Sequence, residues 1–442
     1  MQDFDTIIIG GGLSGLTTGI ALARGGQRVA IATSGTSTLN CFSGSFDLLG
    51  YDDEGKEVQS PLSGAESLPA THPYAKVGVS RLGLLADKAA DLLREAGISV
   101  SGKAEQNHHR ITPMGIARPA WLTIDGCLTA DQVAGADIVL VDIEGFLDFP
   151  VEFIKAGLEQ MGAKVSVVSL QLNSMRGGHS SPYETRATSI ARILTREEAL
   201  RELGRKISSQ LSQQDKDIKP VNVQCSMVNV QCSMVNGQSP TVVLPAVISF
   251  DSLEMLKEMV GCPMRIIATL PPSQPGMYVQ TQLRNYFTSL GGEIFHDAKV
   301  TSGMVPQGMV EGIATGYSGN VTARSYVLAT GSFQSHGLIA DYRKVSEPIF
   351  GLDVVQTADG GKPITNYQRT TPDIFQSQPF MQFGVATDEK LHPILHGVRV
   401  DNLYAVGSIL SGHDGIRQAD ATGVSLITAL AAAQDILSLP TC

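Results

Sequence analysis

The sequence predicts an α/β fold in which a Rossmann-type domain is split by an inserted second α/β domain. Three observations lead to this prediction: a glycine-rich turn after an apolar N-terminal run, alternating strand and helix patterns in the middle, and, near the C-terminus, apolar strands and an apolar helix like those of the N-terminal segment. A chain of 442 residues is also too long for one ordinary core. We expect the split domain at residues 1–50 and 300–442, and the inserted domain at residues 51–299.

The N-terminal segment has the pattern of a β-α-β unit. Residues from Phe4 to Ile9 are nearly all apolar or β-branched, as in a central parallel strand, and Val29 to Ala32 repeats the pattern. Between them, apolar residues recur at helical spacing from Leu16 to Ala23, and Gly25-Gly26 ends the predicted helix. Two parallel strands joined by a helix are therefore expected.

The turn between the first strand and the helix has the spacing G-x-G-x-x-G. The first glycine of such a turn permits the tight bend, the second lets a phosphate approach the backbone, and the third allows close helix packing. The helix N-terminus adds partial positive charge. We therefore predict phosphate binding here; a tight turn without a ligand is the alternative. The residues concerned are Gly10, Gly11, Gly12, Leu13, Ser14 and Gly15.

A loop without regular periodicity follows the second strand. From Gly35 to Gly50 the sequence is rich in Ser, Thr and Gly, so many backbone donors are accessible. A ligand lying against this loop is expected to contact its centre, at Ser43, Gly44 and Ser45.

The middle of the chain alternates strands and helices after a helix predicted from Ser80 to Ala96. Strand, helix and strand are predicted at residues 136–142, 149–160 and 164–172, and again at residues 241–249, 251–260 and 264–270. Between these groups we expect a surface insertion around residues 197–238. It contains a tandem repeat, in which Val221–Met227 recurs as Val228–Met234. A slipped-replication insertion in a loop explains the repeat better than a solenoid does.

Charge and cysteine spacing exclude several classes of function. The formal net charge is -10 and the basic residues are scattered, which argues against nucleic-acid binding. The six cysteines include no C-x-x-C pair, so we predict no metal site and expect six reduced thiols. No run approaches the roughly 20 apolar residues that span a bilayer. We therefore expect a cytosolic chain, or one held at a membrane by another protein.

Two distant segments add specificity to the first glycine turn. Tyr326 to Ser332 and Asn402 to Ser408 are each an apolar strand ending in a glycine turn. With the first turn they resemble, in the right order, the three signatures of two-dinucleotide-binding-domain flavoproteins. That family usually has an Asp after the glycine of its third signature, where this chain has a serine without charge. The resemblance implies that a flavin is also held by Ala329, Thr330, Gly331, Gly407 and Ser408.

The second strand ends without the acidic residue that binds an adenosine ribose in such units, about 20 residues past the glycines. Thr33 and Ser34 stand at that end instead, and we expect both to contact the cofactor. The nearest cation, Arg28, precedes the apolar run, so the pattern of an NADP site is absent as well. We therefore predict FMN, a flavin without adenosine, with FAD as the alternative.

Further phrases, spread over nearly the whole chain, resemble one family, the B subunit of the anaerobic, membrane-associated glycerol-3-phosphate dehydrogenase. The tandem-repeat region and the polar segment beside it do not follow the family pattern. The phrases that carry the resemblance are Ser43–Leu49, His72–Tyr74, Arg110–Pro113, Thr269–Ser273, Glu347–Asp353 and Gln382–Asp388.

The resemblance implies a flavoprotein subunit in a three-subunit oxidoreductase. Its partners would be the catalytic A subunit, which holds FAD, and the iron–sulfur C subunit, which provides the membrane anchor. The enzyme would oxidise sn-glycerol 3-phosphate to dihydroxyacetone phosphate and pass electrons towards quinone. The chain would lie in the cytoplasm, peripheral to the inner face of the cell membrane.

Two other functions remain open on the sequence alone: a self-sufficient FAD oxidoreductase of the fumarate-reductase style, and a non-catalytic scaffold within a complex. No catalytic residue is assigned. His413-Asp414, which follows the third signature, is a better acid–base candidate than His108-His109-Arg110, although a role in capping the loop explains this pair equally well. His108-His109-Arg110 is expected to be an exposed turn rather than a phosphate clamp, and Trp121 a core or interface residue.

Overall fold

The computed structural model describes residues 4–35, 37–175, 186–214, 239–316, 319–358 and 362–440. The tandem repeat at residues 221–234 lies outside them. The ten described α-helices are α1 Leu13–Arg24, α2 Pro61–Ala65, α3 Pro73–Val77, α4 Leu82–Glu95, α5 Val151–Gln160, α6 Ala187–Leu194, α7 Glu197–Gln214, α8 Phe250–Val260, α9 Gln274–Ser289 and α10 Ala421–Ser438.

Nine of the described strands form two parallel sheets, one of five strands and one of four. In chain order they are β1 Phe4–Ile9, β2 Val29–Ala32, β3 Asp137–Ile143, β4 Lys164–Leu170, β5 Thr241–Pro245, β6 Met264–Ile267, β7 Glu293–Phe295, β8 Ala323–Leu328 and β9 Leu403–Ala405. The first sheet has the order β7-β2-β1-β8-β9, and the second has the order β6-β5-β3-β4. The predicted α/β class and both sets of alternating elements are confirmed.

The remaining described strands are short and pair mostly in antiparallel hairpins. They are Ser45–Phe46, Val100–Gly102, His108–Ile111, Ala117–Ala120, Leu122–Ile124, Val300–Met304, Gly312–Thr315, Gly319–Val321, Ile339–Ala340, Val345–Ser346, Val354–Val355, Thr357–Ala358, Lys362–Pro363, Gly384–Val385, Ile394–Leu395 and Val398–Arg399.

The first sheet is built from both ends of the chain. β1, at the N-terminus, lies between β2 and β8, and β9 follows β8 at the edge. β1 and β2 are buried almost throughout, which explains why both are nearly continuous apolar runs. The predicted boundaries at residues 50 and 300 stay a prediction. β7, however, joins the first sheet beside β2 although its residues fall within the range predicted for the inserted domain.

Helix α7 occupies the start of the surface insertion predicted around residues 197–238, and the insertion itself stays a prediction. The apolar residues of α7 recur at spacings of three and four, so they share one face, which is the spacing of an amphipathic helix. Leu200, Leu203, Ile207 and Leu211 are all buried. The polar composition of this segment belongs to the outer face of a packed helix.

Helix α10 packs against α1 and α4. Its mean hydropathy over 18 residues is 1.3, so by length and composition it could cross a membrane, contrary to the expectation from the sequence. In the fold, 67% of that window is buried. Its small and apolar side chains therefore serve the core of this structure.

The described cysteines differ in state. Cys41 and Cys127 are free thiols, whereas Cys262 is disulfide-bonded, so the expectation of six reduced thiols is wrong at that position. Trp121 is 1% exposed and lies in the core, as predicted.

Candidate functional site

A cavity of about 480 Å³ opens at the carboxyl ends of the central strands of the first sheet. The turns after β1, β2 and β8 all contribute to its lining, and the turn after β9 adds Ser408. This is the position where open parallel α/β sheets bind ligands. Those of the predicted residues that line the cavity are Gly10, Gly11, Gly12, Leu13, Ser14, Thr33, Ser34, Ala329, Thr330, Gly331 and Ser408.

The glycine turn brings the cavity to the N-terminus of α1. Gly12 is the N-cap residue and has no side chain to cap the helix, and the first turn of α1 contains no acidic residue. The backbone N–H groups of this turn therefore remain accessible to an anion. Gly15 does not line the cavity; a Cβ there would overlap the carbonyl oxygen of Gly10, so its role is to let the helix approach the turn.

Gly407 also has a packing role. Its N–H donates to Thr428 Oγ1 on α10 at 2.9 Å, and a Cβ there would overlap the Ser14 side chain. The backbone after β9 therefore lies directly against the start of α1. Ser408 is brought to the cavity by this close approach.

Ser43, Gly44 and Ser45 lie elsewhere. Ser45 belongs to a short strand paired with Leu122–Ile124, and its hydroxyl is 2.8 Å from Thr123 Oγ1. Gly44 packs against the thiol of Cys127. None of the three lines the cavity in the described part of the chain, so their contact with a ligand stays a prediction.

The opposite wall of the cavity is not predicted by the sequence. Lys299 and His336 are the only basic side chains, and no acidic side chain occurs, among the described residues that line it. Residues 298–301 reach the cavity because β7 joins the sheet beside β2, a placement for which the sequence carries no recognisable pattern. The unpredicted lining residues are Ile9, Ala32, Gly35, Ser37, Thr38, Ala298, Lys299, Val300, Thr301, Ser335, His336, Ile339, Pro348, Ile349 and Ser425.

The polar groups of this cavity fit a phosphate-bearing cofactor such as a flavin. The α1 N-terminus and Lys299 suit the phosphate, while the small residues of the three turns let the backbone approach a ligand closely. Thr330 Oγ1 is buried and has no hydrogen-bond partner within the described residues. A buried hydroxyl without a partner is costly, so a ligand group bonded to Thr330 would satisfy it.

A Thr330→Val variant is expected to bind flavin about twofold to twelvefold more weakly, which corresponds to the loss of one hydrogen bond worth about 0.5–1.5 kcal/mol. Thr17→Val is the matched control, because the Thr17 hydroxyl is also buried and partnerless within the described residues but lies outside the cavity. Fluorescence titration of each apoprotein with flavin gives the dissociation constants. Equal dissociation constants for the two variants would show that the Thr330 hydroxyl makes no hydrogen bond to the flavin.

A second polar group, the buried triad of His72, Asp420 and His413, lies near the N-terminus of α10. Asp420 Oδ2 is 3.0 Å from His72 Nε2, and Oδ1 is 3.1 Å from His413 Nδ1. Because His72 Nδ1 accepts the N–H of Tyr74 at 3.1 Å, His72 donates to Asp420 through Nε2. All three side chains are buried.

The triad has a defined distribution of charge. Burial acts to raise the pKa of Asp420, but the charge of His413 and the hydrogen bonds from both histidines outweigh burial and hold the pKa well below its ordinary value. Burial lowers the pKa of His72, despite Asp420. Burial also acts to lower the pKa of His413, but the Asp420 carboxylate outweighs it and raises that pKa above its ordinary value. The triad is thus an anionic carboxylate with one neutral and one readily protonated imidazole.

The structure can be compared with the roles that the sequence predicted for His413-Asp414 and for His108-His109-Arg110. Asp414 caps its own loop by accepting the N–H groups of Ile416 and Arg417, as the alternative interpretation of this pair proposed. His413 does not line the cavity in the described part, so its acid–base role stays a prediction. The expected exposed turn at His108-His109-Arg110 is wrong, because these residues form a half-buried strand in which His108 Nε2 lies 2.6 Å from Thr123 Oγ1.

Comparison with known proteins agrees with this architecture. The FAD binding domain family matches residues 5–424. Proteins named as the B subunit of anaerobic glycerol-3-phosphate dehydrogenase are 34% identical in Yersinia pestis, over 98% of both chains, and 35% identical in Pectobacterium atrosepticum, again over 98% of both. The Vibrio vulnificus protein of that name is 30% identical over 99% of this chain and 97% of its own.

Solved structures are more distant. A quinol fumarate reductase FrdA chain from E. coli is 11% identical, with a TM-score of 0.39 over 99% of this chain and 70% of its own. A 3-ketosteroid dehydrogenase from Rhodococcus jostii RHA1 is 12% identical, with a TM-score of 0.37 over 99% and 97%. At these values the two structures add nothing to the assignment. The family match and the relatives together show that the chain is a flavin-binding part of an oxidoreductase and belongs to the B-subunit family of anaerobic glycerol-3-phosphate dehydrogenase.

Proposed function

We propose that this chain is the FMN-bearing electron-transfer subunit of a quinone-linked glycerol-3-phosphate dehydrogenase. Electrons from the oxidation of sn-glycerol 3-phosphate to dihydroxyacetone phosphate would pass through it towards an iron–sulfur C subunit in the membrane, and a catalytic A subunit with FAD would be its other partner. The complex would hold it in the cytoplasm at the inner face of the cell membrane. The supporting observation is the cavity in which the turns after β1, β8 and β9 meet.

The chain's own residues would bind and orient the cofactor. The N–H groups at the start of α1 would hold the phosphate, with Lys299 adding charge at the rim. Thr330 and Ser408 would fix the polar part of the flavin through hydrogen bonds. A bound flavin would supply the redox chemistry, and the protein would tune it through these contacts.

The choice of FMN over FAD rests on the end of β2. Thr33 and Ser34 line the cavity at the place where an adenosine-binding unit would present a carboxylate. An opposing observation is the extent of the cavity, which continues past these residues to Lys299 and Thr301 and leaves space that an adenosine could enter. We give the missing carboxylate more weight, because a neutral hydroxyl cannot replace the charged acceptor for both ribose hydroxyls.

The test is to purify the full chain with and without its partner subunits and to identify the released flavin by mass. FMN is the expected result. In addition, Ser34→Ala is expected to change flavin affinity less than twofold, whereas Thr330→Val weakens it, since FMN has no adenosine ribose for the Ser34 hydroxyl to bind. Release of FAD, with several-fold weaker binding in Ser34→Ala, would overturn the choice of FMN. A chain without flavin in both preparations would overturn the electron-transfer role.

A further inference from the structure

An antiparallel hairpin outside the cavity places two arginines side by side. Strand His108–Ile111 pairs with strand Ala117–Ala120 so that Arg110 lies directly opposite Arg118. Like charges at opposite positions of a β-ladder repel each other, so such a pair persists only with compensating negative charge. The hairpin therefore requires a negatively charged group beside Arg110 and Arg118.

One carboxylate faces both arginines. Asp47 Oδ1 is 3.5 Å from Arg110 Nε, and the two side chains are 15% and 13% exposed. Burial raises the pKa of Asp47, and the charges of Arg110 and Arg118 offset this only in part. A single, poorly solvated carboxylate thus opposes two permanent positive charges, so the group retains an excess of positive charge.

The neighbouring acids are already engaged. Glu57 is 2.9 Å from His109 Nε2, and Asp53 accepts from Gln418 Nε2 at 2.9 Å. Asp414 accepts two backbone N–H groups of its own loop, and Asp420 belongs to the buried triad. None of them bonds to Arg110 or Arg118 within the described residues.

The hydrogen-bonding capacity of this cluster is only partly used. Among the described residues, Nε of Arg118 is buried without a hydrogen-bond partner, while Nε of Arg110 and Oδ1 of Asp47 are buried and face only each other, at the long distance of 3.5 Å. Arg118 is nevertheless held in place, since one guanidinium nitrogen donates to the carbonyl of Ile416 at 3.1 Å and the group stacks 5.2 Å from the Tyr51 ring. The cluster therefore offers fixed donors, one acceptor and net positive charge.

We propose that Asp47, Arg110 and Arg118 bind a small phosphate monoester that carries a hydroxyl group, the chemical class of sn-glycerol 3-phosphate. The two guanidinium groups donate to phosphate oxygens, which is the pairing that arginine geometry favours. Asp47 Oδ1 accepts from the hydroxyl. This proposal rests on the proposed function for its substrate class, and it places substrate contact on this chain.

The test uses the full, flavin-loaded chain and isothermal titration with inorganic phosphate, sn-glycerol 3-phosphate and glycerol. Wild type is expected to bind both phosphates and not glycerol. Arg110→Gln and Arg118→Gln are each expected to weaken both phosphates at least tenfold. Asp47→Ala is expected to remove the preference for sn-glycerol 3-phosphate over inorganic phosphate without weakening the latter, because alanine offers the hydroxyl no acceptor. Arg94→Gln is the control, because Arg94 is exposed and, among the described residues, pairs with the neighbouring Asp91.

A second measurement needs no variant. Phenylglyoxal labelling of wild-type arginines, mapped by mass spectrometry, is expected to slow at least threefold at Arg110 and Arg118 in saturating phosphate, and to be unchanged at Arg94. Unchanged labelling at all three, or phosphate binding that survives Arg110→Gln and Arg118→Gln, would refute the site. Flavin content of the same samples separates the two ideas: flavin without protection refutes only this site, and protection without flavin refutes only the electron-transfer role.

Discussion

A Gly10→Ala variant is expected to purify with at least tenfold less flavin than wild type. Gly10 has a φ of +117°, and a Cβ there would overlap the carbonyl oxygen of Ala329 at the end of β8. The backbone strain alone costs about 1–3 kcal/mol. Relieving the overlap requires β1 and β8 to separate, which moves the turn that precedes α1. The ratio of flavin absorbance to protein absorbance measures the loss.

Gly26→Ala is the control for this variant. Gly26 also has a positive φ, +83°, but nothing lies within 4 Å of the position that its Cβ would take. It therefore tests left-handed strain without overlap, at a cost of about 1–2 kcal/mol. Gly26→Ala is expected to keep its flavin. Full flavin content in Gly10→Ala would show that the glycine turn does not hold the cofactor.

An Asp420→Asn variant is expected to lower the free energy of unfolding by about 3–5 kcal/mol near pH 6, the cost of removing one partner from a buried charge pair. The substitution preserves shape but removes the charge that stabilises protonated His413. It also removes the favourable position of an anion at the N-terminus of α10. Urea unfolding of both proteins gives the difference.

The cost is expected to shrink as pH rises. The pKa of His413 is raised in the folded wild type, so its stabilising contribution is complete below the unfolded pKa, about 6.5, and is lost as pH rises through the folded value. His72 has a lowered pKa, so its own contribution to stability has the opposite pH dependence, but Asp420 acts to raise this pKa, and loss of Asp420 therefore adds to the cost on the acidic side. The stability difference should therefore be smaller at pH 9 than at pH 6.

Asp91→Asn provides the comparison, since Asp91 is exposed and pairs with Arg94 on the surface of α4. A change below about 0.5 kcal/mol is expected for it, without pH dependence in this range. An Asp420→Asn cost that is constant from pH 6 to pH 9 would show that His413 is not protonated through Asp420.

Local pattern is sufficient to predict the elements of the first sheet and the glycine turns. β1 and β2 are apolar because both of their faces are covered, and Gly10 and Gly15 stand where backbone must approach backbone. These constraints act over a few residues, so they are visible in the sequence. The polar composition of α7 conceals a packed helix, because only one narrow face of the helix is buried and that face includes Leu200, Leu203, Ile207 and Leu211.

The parts that the sequence does not predict depend on pairings between distant segments. β7 is three residues long and joins the first sheet only through β2, yet it carries Lys299 and Thr301 to the cavity. The pairing of Asp420 with His72 joins residues 348 positions apart. A single sequence carries no periodicity that reports such contacts, and for the same reason the strand at His108-His109-Arg110 has the local pattern of a turn.

The order of strands in the first sheet has a consequence for the synthesis of the protein. Ribosomes make chains from the N-terminus at about 5–20 residues per second. β1, with its glycine turn, leaves the ribosome early, but its neighbour β8 begins at Ala323 and β9 at Leu403. A nascent chain therefore carries half a nucleotide fold whose central strand lacks one neighbour for most of translation. The cofactor can therefore bind only after most of the chain has been made. Until then the unpaired edge of β1 is exposed to pairing with other chains unless it is shielded.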